Sequence, residues 1–126
     1  MALIETHFQN GLFYTYAESH LTRYDIEQWI HDLHACAAIH GAPIVAIFDI
    51  SRVTKIASAA HIAIADITRT PLLGAVVFVA QGNSSTHAVK TIALMSERSK
   101  VHVFDTLKEA RLYAEICLNN LHTVYA

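Results

Sequence analysis

The chain reads as an α/β protein built on one mixed, mainly parallel five-stranded sheet, in the order ββαβαβαβα, with the helices packed mainly on one face. Three observations predict this class. Asn10-Gly11 separates two β-rich segments and supplies the positive φ angles of a tight hairpin turn. "IVAIFDI" at 44–50 and "LLGAVVFVA" at 72–80 are unbroken apolar runs, the pattern of inner strands covered on both sides and paired in parallel. Helical periodicity fills the stretches between strands, and such alternation implies right-handed crossovers.

The elements follow in order. "ALIETHF" and "GLFYTYAE" form the antiparallel hairpin; in the second, Leu12, Tyr14 and Tyr16 share one face and Phe13, Thr15 and Ala17 the other. From Thr22, which pairs with Asp25 as a loose capping box, Ile26, Trp29, Ile30, Leu33 and Ala37 mark a helix that Gly41 and Pro43 end. After the strand at 44–50 comes a short polar connection. Ser58 then opens and caps a short helix over 58–69, stopped by Pro71 because the residue before proline disfavours the helical region. "NSSTHAVKTIALMSERS" begins with cap residues and continues with Val89, Ile92, Ala93 and Ser96 at helical spacing. "VHVF" is a short last strand. Thr106 and Glu109, in capping-box spacing, start a closing helix with Leu107, Ala110, Tyr113, Ala114, Cys117 and Leu121 on or near one stripe. No linker or repeat interrupts the chain, so 1–126 reads as a single domain.

Composition narrows the function. Apolar residues make up 53% and charged residues 16%, which excludes a disordered chain and predicts that some hydrophobic surface is covered by self-association, a homodimer. Nine Lys and Arg against eleven Asp and Glu leave a net charge of -2, without the basic field that nucleic-acid binding requires. Glu5 interrupts any signal-peptide core, and no apolar run approaches the ~18–20 residues of a membrane span. The expectation is a cytoplasmic protein with no membrane partner, whose two cysteines, Cys36 and Cys117, are reduced and lie in helices.

"IFDISRVTKIASAAHI" resembles the central segment of STAS domains, the fold of anti-sigma factor antagonists. Asp49, Ile50 and Ser51 match the Asp-hydrophobic-Ser end of a strand there; Val53 and Ile56 match the apolar positions of the connection; Ser58 falls on the serine that a partner kinase phosphorylates in those antagonists. "VHVFDTLKEARLYAE" is similar to the closing strand and helix of stand-alone bacterial STAS-like proteins of the SpoIIAA-like type. Ala57, Ala59 and Ala60 stand where the phosphorylated antagonists have Asp, Ser and Gly. The resemblance implies a non-catalytic regulatory or protein-interaction module with no cofactor. Its phosphorylation candidate is Ser58, and a kinase or regulator would bind at Asp49, Ser51, Arg52, Thr54, Lys55, Ser58 and His61. The alternative is a carrier or sensor of a small lipophilic ligand.

The remaining chemistry-bearing residues carry other readings. His31, His34, Cys36 and His40 lie close in sequence, but on a helix the pairs 31/34 and 36/40 point to different sides, so one ion cannot collect all four and no metal site is expected. Ser58 and His61 are a nucleophile and base by type, yet no Gly-rich elbow or oxyanion-hole signature accompanies them. "AQGNSSTHAVK" leads into a helix N-terminus without P-loop spacing and reads as a polar turn with a Ser or Thr cap. Phe8, Phe13, Tyr14 and Tyr16 are expected in the core, with one aromatic sheet face left open if the helices gather on the other side.

Overall fold

A computed structural model describes residues 2–125, with side chains for all of these except 83, 84 and 122–125. Five strands form one sheet in sequential order: β1 (Leu3–Gln9), β2 (Leu12–Leu21), β3 (Ile44–Ile56), β4 (Leu73–Val79) and β5 (Val101–Phe104). β1 and β2 are antiparallel, and every other pairing is parallel. Four helices connect them: α1 (Arg23–His40), α2 (Ser58–Thr68), α3 (Gly82–Met95) and α4 (Leu107–Tyr125), with a single 3-10 turn at Arg98–Lys100 before β5. The mixed sheet and its element order are those expected from the sequence.

Local chemistry accounts for the joints. Asn10 and Gly11 have φ of 55° and 82°, so both central residues of the hairpin turn are left-handed, the twist that two antiparallel strands need. At the start of α1, Thr22 Oγ1 accepts from the Asp25 N–H at 3.3 Å, while the Asp25 carboxylate accepts from the Thr22 N–H at 2.8 Å and its hydroxyl at 2.9 Å. Asp25 is buried, so these bonds also satisfy a carboxylate cut off from water. Thr22→Ala is expected to lower stability by about 1–2 kcal/mol, read as a lower urea midpoint at unchanged slope. Gly41, with φ of 92°, ends the helix and donates its N–H to the Ala37 carbonyl. Thr106 caps α4: its Oγ1 accepts from the Glu109 N–H at 3.2 Å and donates to the Glu109 carboxylate at 3.0 Å.

The core has two layers, one on each face of the sheet. Phe13, Ala17, Ala46, Phe48, Ile50, Val76 and Phe78 face α1, α2 and α3, which contribute Trp29, Leu33, Ile64 and Ile92 among others. Trp29 packs on Phe48 with ring centroids 4.9 Å apart, and Phe48 stacks on Phe78 at 5.9 Å. Leu12, Val45, Ile47, Ala75, Val77 and Val79 face α4 alone, which comes close because Ala110 and Ala114 are fully buried against the sheet. Three of the four helices thus lie on one face. The opposite face is not open: α4 covers it, and Tyr14 is half-buried there.

Boundaries depart from the sequence reading in four elements, the first being β2, which runs on past Glu18 to Leu21. β3 does not stop at Ile50 but continues through the polar connection to Ile56, paired with the end of β2. Two irregularities insert extra residues into β3, where Tyr16 and Glu18 face Asp49 and Arg52, then Ser19 and His20 face Val53 and Lys55. The first of them lets Ile50 and Val53, three apart, bury in the same layer. α2 is capped not by Ser58 but by the backbone of Ala57, whose carbonyl accepts from the N–H groups of Ala60 at 2.9 Å and His61 at 3.1 Å. α3 starts at Gly82 after Gln81, with no side-chain cap; Ser85 Oγ instead donates back to the Gln81 carbonyl at 2.7 Å. The side chains of Asn83 and Ser84, in the turn expected to cap this helix, lie outside the described residues.

Candidate functional site

The register of the sheet aligns Tyr16, Asp49, Val79 and Phe104 in one row at the carboxyl ends of the parallel strands. Open α/β sheets bind their ligands and partners beyond this edge. Asp49 is buried in the row, and one carboxylate oxygen accepts from the Ser51 N–H at 3.0 Å and the Ser51 hydroxyl at 2.6 Å. These bonds make Asp49 a carboxylate that shapes the backbone after it, within a bulged strand. Burial, and then the charges of Asp49 and Glu5, hold the Tyr14 phenol above its ordinary pKa, with Arg111 pulling the other way. Tyr14 and Tyr16 belong to this neighbourhood; the sequence shows the face they share with Leu12 but not their pairing with β3.

Beyond Ser51, β3 runs on as a ribbon paired with β2 only, and Arg52, Thr54 and Lys55 are exposed on it. Thr54 Oγ1 donates to the Ser19 carbonyl at 3.2 Å, which ties the second irregularity to the end of β2. Ser58 follows as the first residue of α2, exposed. The first turn of α2 holds no acidic residue and no side-chain cap, so its positive end meets no carboxylate of its own helix. Of the expected partner-binding residues, Arg52, Thr54, Lys55 and Ser58 thus form an exposed basic and hydroxyl-bearing run, while Asp49 and Ser51 sit at its root on the α4 side of the sheet.

His61 is only half-buried, but its Nε2 is shielded from solvent and has no hydrogen-bond partner. Burial pushes its pKa below the ordinary value, so it is neutral at pH 7. No hydrogen bond joins this nitrogen to Ser58, and the nucleophile-and-base geometry is not formed. Beside Ser58, between α1 and α2, lies a groove of about 330 Å³. Ile30, Ala59, Ile62, Ala63 and Ile67 form its apolar floor, and Arg23, Glu27 and Asp66 its rim. Ion pairs hold that rim, Arg23 with Glu27 at 2.9 Å and Arg69 with Asp66 at 3.0 Å. Ile62 is 53% exposed, an apolar side chain offered to solvent at the groove.

The histidines of α1 separate as helix geometry requires: Cys36 is buried in the core, His31 and His34 are exposed, and His40 stacks on Phe8 at 4.0 Å. Among the described residues, no group of three or more His, Cys, Asp or Glu side chains is placed to hold a metal ion. Cys36 and Cys117 are both free thiols in helices. No helix among the described residues is long and apolar enough to cross a membrane.

Comparison with known proteins identifies the fold. No protein-family profile matches the chain, and no curated protein matches it. Thirteen solved chains do match. An uncharacterized protein of the DUF3478 family from Shewanella loihica PV-4, with a SpoIIAA-like fold, superposes with a TM-score of 0.64 at 19% identity, over 90% of this chain and 92% of that one. An anti-sigma factor antagonist from Mycobacterium paratuberculosis gives 0.66 at 14% identity over 90% and 92%. The unphosphorylated form of the anti-sigma factor antagonist SpoIIAA gives 0.62 at 13% over 88% and 94%. The chain is an α/β protein whose sheet, helices and element order are shared with these three structures. Its fold is the SpoIIAA-like, or STAS, fold.

Proposed function

We propose that residues 1–126 act as a single non-catalytic STAS-like regulatory domain, a homodimer without a cofactor, in the cytoplasm of a bacterium. It binds a protein partner, a kinase or regulator, through Asp49, Ser51, Arg52, Thr54, Lys55, Ser58 and His61. The observation that carries this reading is the placement of Ser58: exposed, first in α2, at a positive helix end without a side-chain cap, with Arg52 and Lys55 exposed on the strand before it. A phosphate there gains from the helix dipole and from the free N–H groups of the first turn, so up to two negative charges are tolerated without unfolding. The same charge stands beside the apolar groove through Ala59 and opposes docking there, by like-charge repulsion and by the cost of stripping water from the phosphate. Two of the solved structures with this fold are anti-sigma factor antagonists, which supports a switch of that kind.

Ser58→Asp is accordingly expected to stay folded, with an unchanged far-ultraviolet dichroism spectrum, and to lose its partner by tenfold or more in affinity. In pull-downs from the native host, a protein retained by wild type and Ser58→Ala but released by Ser58→Asp supports the switch. Equal retention by all three rejects it.

The groove itself favours the second reading, a carrier or sensor of a small lipophilic ligand, since its volume and apolar floor are on the scale of small-molecule sites. Native mass spectrometry separates the two. A bound small molecule lost on Ile62→Asp supports the carrier, and a bare chain that captures a protein supports the regulatory module.

A further inference from the structure

We infer that two copies of this chain associate through β1, edge to edge and antiparallel, in a register centred on Thr6. The inference rests on the homodimer reading and adds to it the surface and the alignment. β1 is an outer strand of the sheet, paired only with β2. Ile4, Glu5, Thr6, His7 and Gln9 are all exposed on it. It contains no proline, lysine or arginine, the usual means by which an edge strand is kept from pairing with another chain. The opposite edge, β5, is protected by its brevity, four residues. The irregularity between Leu3 and Glu5 limits the usable edge to about residues 4–8.

The direction of the free backbone groups follows from the hairpin. A two-residue turn closes on Gln9 and Leu12 as a hydrogen-bonded pair, so alternation along β1 points the N–H and C=O groups of Phe8 and Thr6 away from β2. A second copy meeting these groups by two-fold symmetry can adopt only a few registers. Centred on Thr6, it sets Thr6 against Thr6, Ile4 against Phe8, and Glu5 against His7. A shift of one residue in the centre sets Glu5 against Glu5, two like charges directly opposite, which is destabilising, or His7 against His7, which leaves both carboxylates without an imidazole across the seam. Only the Thr6 register places an acid opposite an imidazole, at the closely approaching, non-hydrogen-bonded positions. Glu5 and His7 already share a face, with Glu5 Oε1 3.3 Å from His7 Nδ1, so pairing gathers two carboxylates and two imidazoles across the two-fold axis. It also brings Ile4, 55% exposed in the single chain, against an aromatic ring. The strand is thus complementary to itself in acid–imidazole pairing, in threonine pairing and in apolar contact.

Cysteine trapping reads the register directly. Opposed hydrogen-bonded residues of antiparallel strands have Cα atoms about 5.5 Å apart, within the disulfide range. Thr6→Cys is expected to form a disulfide-linked dimer on mild oxidation, assigned by peptide mass so that Cys36 and Cys117 are excluded. Glu5→Cys and His7→Cys are expected to cross-link when mixed but not when each is alone. In sedimentation velocity, wild type is expected to be dimeric and both Thr6→Lys and Thr6→Pro monomeric, the lysine variant guarding against a folding defect in the proline one. A wild type that stays monomeric at all concentrations overturns both the homodimer and the edge contact. A dimer that survives Thr6→Lys, or fails to trap at Thr6, overturns the edge contact alone and leaves a dimer through another surface.

Discussion

Trp29→Ala is expected to lower the free energy of unfolding by about 3–5 kcal/mol, while Trp29→Phe costs much less. Trp29 is fully buried at the centre of the larger core layer, on the face of α1 that also carries Ile26 and Leu33, and its ring meets Phe48 of the central strand. Truncation empties a site that the sheet cannot close, because β3 is held on both sides by β2 and β4. The loss is a large share of the ~5–15 kcal/mol that a domain of this size has in total. Phenylalanine keeps most of the contact with Phe48 and removes a cost as well: the indole Nε1 is buried with no hydrogen-bond partner. An unpaired buried donor costs about 1–3 kcal/mol, and replacing it with a ring edge recovers part of what the smaller side chain forfeits. Urea unfolding followed by far-ultraviolet dichroism measures both variants. A Phe variant as unstable as the Ala variant would show that the Nε1 group has found a partner in solution, such as a buried water.

What the sequence made legible was the part of the fold that local chemistry dictates. Asn10-Gly11 announces its turn because few other pairs tolerate two left-handed residues. Thr22 with Asp25 announces the start of α1 for a similar reason, since the side chains bond within one turn. β4 and β5 read directly as apolar runs of strand length. The end of β3 did not, because period-two alternation fails at each inserted residue; Ser51, Arg52, Thr54 and Lys55 look like a loop when only their polarity is weighed. The cap of α2 differs from the expected one for the opposite reason. A serine beside an alanine invites the capping role, yet the backbone of Ala57 supplies the first acceptor and leaves the Ser58 side chain to solvent.

The same division holds at the candidate site. Ser58 could be found by spacing because its position depends only on where a helix begins. The row that joins Tyr16, Asp49, Val79 and Phe104 could not, because it depends on parallel register between strands dozens of residues apart, which no local pattern encodes. The covering of the second sheet face is likewise a tertiary fact. Ala110 and Ala114 mark a helix face narrow enough to approach a sheet closely, but the stripe does not say which face receives it. The closure matters for function, because α4 fills the second sheet face against Val45, Ile47, Val77 and Val79.

Stability is expected to fall as the pH is lowered from about 7 to about 5, above the range in which carboxylates of ordinary pKa take up protons. Two histidines drive this. Burial pushes the pKa of His61 below the ordinary 6.5, and burial does the same for His102, where a hydrogen bond to the Ser99 backbone opposes it. His102 is held at the sheet edge against Tyr113, with ring centroids 4.5 Å apart. Each folded-state pKa lies below the unfolded one, so in this interval the unfolded chain binds more protons than the native chain and acid favours unfolding. The stabilisation is complete above pH 6.5 and decreases as the pH drops below it, by an amount that solvent screening keeps modest for two half-buried imidazoles. The slope ends for each group where its depressed pKa is reached, because both states are then protonated. Urea midpoints measured across the interval are expected to show this fall. His61→Gln and His102→Gln should each flatten it, and the double variant should flatten it most. A wild type equally stable at both ends of the interval, or a slope that neither substitution changes, would mean that both imidazoles are as well solvated in the folded chain as in the unfolded one, contrary to the shielded Nε2 of His61.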